Sequence, residues 1–150
     1  MTPTIRSAQP SDAPAIVEFN RRLALETEDK VLDPGVLSAG VAAVLGDSTR
    51  GLYFVAERDG DVVGQLMITY EWSDWRNGWI WWLQSVYVRA DQRSRGIFRS
   101  LFEHAVEQAR AAGQVVSVRL YVEKDNRSAQ AIYKNLGFAE MHFQMMHKSL

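Results

Sequence analysis

The chain has 150 residues with 47% hydrophobic and 23% charged positions, the size and balance of one globular domain around one core. Its 17 basic and 18 acidic residues give a formal charge of -1, so no global field draws nucleic acid or an anionic membrane. It has no cysteine, which excludes a disulfide framework, a thiolate metal site and a cysteine nucleophile, and His104, His142 and His147 lack zinc-ligand spacing.

The first residues carry no secretory pattern and no segment is apolar enough to span a bilayer, so the expected location is the cytoplasm. A short strand is expected around Ile5. Ser11-Asp12 then offers capping side chains before Pro14, and Ile16, Phe19 and Leu23 recur at helical spacing, predicting a helix over 12–27. A second helix should start after Asp33-Pro34, present Val36, Leu37, Val41, Val44 and Leu45, and stop at Gly46.

Leu52 to Arg58 and Val62 to Glu71 read as strands joined by Asp59-Gly60, a pair suited to a tight antiparallel hairpin. Trp72 to Gly78 reads as a loop. Trp79 to Val88 is apolar on both faces, as in an interior strand covered by helices. Phe98, Leu101, Phe102, Ala105 and Ala109 form the apolar stripe of a helix closed by Gly113. An alternating strand over Val115 to Val122, a helix over Ser128 to Leu136 ended by Gly137, and a last strand over Phe138 to Lys148 complete the chain. No repeat or linker divides it, so a single α/β domain over 1–150 is expected.

The segment from Val86 to Phe98 leads from strand into helix through Arg93-Ser94-Arg95-Gly96. A helix start carries unpaired amides and partial positive charge, and Arg93, Arg95 and Arg99 add to it, so this turn is a candidate diphosphate site. It fits neither a Walker A loop nor a dinucleotide fingerprint. Taken alone, a plain glycine turn with solvated arginines explains it equally well.

A second motif decides between them. Arg93-Ser94-Arg95-Gly96-Ile97-Phe98 resembles motif A, Gln/Arg-x-x-Gly-x-Gly/Ala, of the GNAT superfamily of acetyl-CoA-dependent N-acetyltransferases. Asn126 to Phe138 resembles its motif B, Asn-x-x-Ala-x-x-x-Tyr-x-x-x-Gly-Phe, at every specified position. The resemblance covers essentially the whole chain. It implies a mixed, mostly antiparallel twisted sheet of about six strands flanked by four helices, with the pantetheine arm between Tyr87-Val88 and the strand after the long helix.

The resemblance further implies direct acetyl transfer from acetyl-CoA to a primary amine in a ternary complex, without a metal. Val86, Val88, Arg93, Ser94, Arg95, Gly96, Phe98, Arg99, Asn126 and Tyr133 would bind the donor, with the Val88 amide on the acetyl oxygen and Tyr133 as general acid. Phe98 departs from the motif, whose last position is glycine or alanine. Gln84 stands where some relatives carry a glutamate base, and an amide cannot take that proton. Glu26, Glu71, Asp74 or a water chain could substitute for that base, and Glu26, Glu71 and Trp72 are the candidate acceptor-site residues.

Five tryptophans lie between Trp72 and Trp82; Trp81 and Trp82 point to opposite faces of a strand and read as core, while Trp72 and Trp75 could meet an acceptor or a second subunit in a homodimer. Two other classes compete: a non-catalytic acyl-CoA sensor that lacks the base, and nucleic-acid binding through Arg89, Arg93, Arg95 and Arg99, which the acidic balance disfavours.

Overall fold

The computed structural model describes residues 2–150, which fall into two compact units, a first that ends at Leu120 and a second, Tyr121–Leu150. The first holds a five-stranded sheet in the order β1-β2-β3-β4-β5. Its strands are β1 (Thr4–Ser7), β2 (Leu52–Arg58), β3 (Asp61–Ser73), β4 (Gly78–Val88) and β5 (Val115–Leu120). The first four pair antiparallel and β5 joins β4 in parallel, a connection long enough to need a helix.

That helix is α3 (Ile97–Ala112), while α1 (Ala13–Glu28) and α2 (Pro34–Gly46) lie between β1 and β2 in sequence. On one face of the sheet Ile16 of α1 and Val41 of α2 pack with Tyr53 and Val55 of β2. On the other, α3 buries Ile97, Leu101, Ala105 and Ala109, and Gly64 of β3 lets it come close: a Cβ there would meet the Ile97 Cγ2 at 3.1 Å and the Leu101 Cδ1 at 3.4 Å. Burying each large aliphatic side chain of this kind is worth about 1.5–3 kcal/mol.

The α3 stripe runs 97, 101, 105, 109, with Phe98 and Phe102 half-buried on its flank, so Ile97 rather than Phe98 leads it. Asp12 does not cap α1 as the sequence suggests. Pro10–Asp12 forms a 3₁₀ turn, and the Asp12 carboxylate instead accepts the Gln9 amide at 2.7 Å and the Arg6 guanidinium at 2.8 and 3.0 Å. Arg6 also reaches Glu57 on β2, which ties the edge strand to the start of the helix layer.

The Asp59-Gly60 turn has both residues at positive φ, 52° and 82°, the geometry that matches strand twist in a two-residue hairpin. β3 extends through Ser73, which draws Trp72 out of the expected loop and into the sheet opposite Trp79.

The second unit contains α4 (Arg127–Asn135), closed by Gly137 at φ 96°. The strand expected over Phe138 to Lys148 is not formed, and no strand follows β5 among the described residues. A strand needs a ladder partner for its backbone groups, and the described residues of this unit contain no other strand. The sheet therefore has five strands where about six were expected. No helix among the described residues is long and apolar enough to cross a membrane.

Candidate functional site

Two irregularities in β4 shape the site. The first is a bulge: Gln65 pairs with Tyr87 but Met67 pairs with Gln84, so β4 carries one more residue than β3 across this step, and Ser85 takes φ 50°. Gln65, fully buried, donates its side-chain amide to the Ser85 carbonyl at 3.0 Å and to the Asn20 Oδ1 at 3.3 Å, and Asn20 donates to the Tyr53 hydroxyl at 3.1 Å. The polar pair Gln84-Ser85 inside an otherwise apolar strand is the only trace of this device in the sequence.

The second irregularity is that β5 leaves β4 early. Their ladder ends at Leu83 opposite Leu120, so the last five residues of β4 lack a partner on that side within the unit. The Arg89 amide donates to the Val63 carbonyl at 2.9 Å, and backbone direction alternates along an antiparallel pair. The amide and carbonyl of Val88 therefore turn away from β3, toward the edge β5 has vacated.

Beyond β4, a 3₁₀ turn over Ala90–Gln92 leads into Arg93, Ser94 at φ 62°, Arg95 and Gly96 at φ 77°. No side chain caps α3. Its first-turn amides have no intrahelical acceptor, and left-handed residues on either side of Arg95, Ser94 and Gly96, bend the backbone tightly just before them. An open depression of about 430 Å³ lies here, lined by Thr2, Pro3, Arg58, Arg95, Gly96, Arg99 and Ser100. Arg58 donates to Gln92 at 3.2 Å and Arg99 to Glu103 at 2.9 Å, while Arg95 has no ion-pair partner among the described residues. The chemistry this turn suits is binding of a multiply charged oxyanion.

Arg93 differs from its neighbours. Its Nε donates to the Val88 carbonyl at 2.9 Å, its Nη2 to Glu26 at 2.9 Å, and its guanidinium lies 5.2 Å from the Tyr87 ring centroid. The Tyr87 hydroxyl donates to the other Glu26 oxygen at 2.5 Å. These contacts, the Tyr87 bond first, hold the Glu26 carboxyl below the usual range, while burial foremost pushes the Tyr87 phenol up. A carboxylate so held is a weak base.

The other candidates are dispersed. Gln84 donates to the Thr69 hydroxyl at 2.8 Å. Glu71 is exposed and accepts the Trp82 indole at 3.2 Å, and Asp74 accepts the Trp75 amide at 2.9 Å. Trp72 packs edge-on against Trp79 with ring centroids 5.0 Å apart, seven residues along β3 from the Gln65–Tyr87 rung, or about 23 Å at strand rise. Trp81 is buried as expected, Trp82 is only half-buried because its indole reaches the exposed Glu71, and Trp75 is 96% exposed.

In the second unit, Asn126 caps α4, its Oδ1 accepting the Ala129 amide and the Ser128 hydroxyl, both at 3.2 Å. Tyr133 stands edge-on to Phe138 at 5.9 Å, and burial raises its phenol pKa.

The acetyltransferase (GNAT) family model matches residues 21–138. The chain belongs to that family. A solved structure of a possible acetyltransferase from Clostridium difficile 630 is 43% identical, covers 100% of this chain and 99% of its own, and superposes with a TM-score of 0.92. The L-amino acid N-acyltransferase MnaT of Escherichia coli K12 is 29% identical over 140 residues, 90% of this chain and 78% of that protein. The uncharacterized N-acetyltransferase MJ1207 of Methanocaldococcus jannaschii is 34% identical over 89 residues, 59% of this chain and 39% of that protein. The chain thus spans well under two thirds of the length of the first curated relatives it matches.

Proposed function

We propose that this GNAT chain is an N-acetyltransferase that moves an acetyl group from acetyl-CoA directly to a primary amine in a ternary complex. The observation that carries the reading is one continuous strand, turn and helix, in which a β4 edge abandoned by β5 runs into an uncapped α3 start flanked by arginines.

In this mechanism the amides around Ser94 to Arg99 bind the diphosphate, and the outward backbone of Val86 holds the pantetheine arm. The Val88 amide donates to the acetyl oxygen as negative charge develops there. A neutral amine attacks the thioester carbon, the carbon–sulfur bond breaks, Tyr133 gives its proton to the departing thiolate, a role burial favours by keeping the phenol protonated, and the proton shed by the acylated nitrogen passes through water to restore the phenol. The Asn126 amide nitrogen, on the side of the side chain away from its capping oxygen, serves the pantetheine.

Gln84 cannot take a proton, Glu26 is held as a weak base, and Glu71 and Asp74 lie at or past the far end of β3 from Val88, so in this reading the acceptor arrives uncharged or loses its proton to water. The likeness to MnaT over 90% of the chain favours the α-amino group of an amino acid as acceptor class. The second reading, an acyl-CoA-binding module without turnover, draws on the same engaged carboxylate. Both forms bind the donor.

The test is a melting-temperature shift with acetyl-CoA followed by thiol release across a panel of amino acids, polyamines and peptides. At a ligand concentration 100 times the dissociation constant, binding adds about 2.7 kcal/mol of stability. A shift with silence on every amine would leave the sensor; no shift would end both readings.

A further inference from the structure

The arginine that opens the donor turn would, by its place in the motif, be assigned to the diphosphate. Its bonding argues otherwise. Nε is committed to the Val88 carbonyl, Nη2 to Glu26, and the guanidinium plane rests beside Tyr87. Glu26 in turn holds Tyr87, against which Phe19 packs with centroids 5.3 Å apart. The last turn of α1, the end of β4 and the first residue of the turn are thereby joined through three side chains, all within the first unit. The Glu26 charge also cancels that of Arg93, so the pair adds little field at the helix start.

We infer that Glu26 and Arg93 form a strut that positions the donor site, with Arg93 acting through the Val88 peptide and the entry to the turn rather than as a phosphate ligand. Glu26 is then a positioning residue, neither base nor acceptor contact. The inference rests on the proposed donor function, because it is the donor's fit that the strut governs.

The two roles of Arg93 predict opposite signs. If Arg93 gripped phosphate, removing the nearby carboxylate would free its charge and tighten donor binding, and lysine would replace it well. In a strut, removing the carboxylate loosens the site, and lysine, a point charge without a fork or stacking plane, fails.

The experiment measures acetyl-CoA affinity by calorimetry at two salt concentrations for wild type, Glu26→Ala, Arg93→Lys, Arg93→Gln and the Glu26→Ala/Arg93→Gln double variant, with melting temperatures alongside. Expected are a loss of about fivefold for Glu26→Ala, the scale of a partly exposed ion pair, an Arg93→Lys no better than Arg93→Gln, and a double variant no worse than Arg93→Gln alone. The slope of affinity against salt should stay at its wild-type value in Arg93→Gln, because no phosphate contact is lost. Tighter or unchanged binding by Glu26→Ala, with affinity retained by Arg93→Lys, would overturn the strut while leaving the function intact. A wild type that does not bind acetyl-CoA would overturn both.

Discussion

The side-chain amide of Gln65 donates to the backbone carbonyl of Ser85 at 3.0 Å, across the step where β4 holds one residue more than β3. A fully buried polar side chain thus secures a backbone at φ 50° that a serine adopts only under constraint. Gln65→Leu, close in volume, would leave the Ser85 carbonyl and the Asn20 oxygen without this donor and should cost about 1–3 kcal/mol. Urea unfolding checks the loss; an unchanged midpoint would show that the bulge holds without Gln65.

Gly96 sits at φ 77° with nothing within 4 Å of where a Cβ would project. Gly96→Ala should therefore cost about 1 kcal/mol of backbone strain and no more in the free protein. The added methyl projects from the turn proposed to carry the diphosphate. Thermal melts should show a small drop without ligand and a much smaller shift on adding acetyl-CoA; a full shift would move the donor elsewhere.

Tyr133→Phe should lower kcat by about 10²-fold while the donor affinity stays near wild type, since the ring remains and only the proton is removed. Burial raises the phenol pKa, so the wild-type acid stays loaded across neutral pH and no alkaline loss from this group is expected there. Equal turnover by the variant in steady-state assays would strike Tyr133 from the mechanism.

Asp12 is 7% exposed, and the Arg6 bond holds its carboxyl below the usual range. A carboxyl whose folded pKa is depressed stabilises the fold above its unfolded pKa and loses that contribution as pH falls through the folded value. Asp12→Asn should be less stable than wild type at about pH 6 and converge with it toward about pH 2. Denaturation at a series of pH values measures the gap; a constant gap would assign the loss to packing instead of charge.

How much of this was legible beforehand differs by element. α2 begins at Pro34 and ends at Gly46, and α3 ends before Gly113, where the sequence places them, because proline and glycine act through local backbone sterics. The Asp59-Gly60 hairpin is readable for the same reason. Asp12 departs from the capping role its position suggests because a capping residue and a 3₁₀ turn with an ion pair use the same side chain, and the choice is made by Arg6 on a neighbouring strand.

The sequence by itself determined the succession of elements from β1 to α4, the family through the patterns at Arg93 to Phe98 and Asn126 to Phe138, and the turn proposed here for a diphosphate. All of these are set by neighbours within a few residues. Only the tertiary structure decided that β5 quits β4 at Leu83, that Gln65 secures a bulge at Ser85, that Phe138 to Lys148 forms no strand, and that Glu26 meets Arg93 across 67 positions of chain. Each of those depends on whether a backbone group or charge finds a partner distant in sequence, and the free energy of that pairing is absent from any local window.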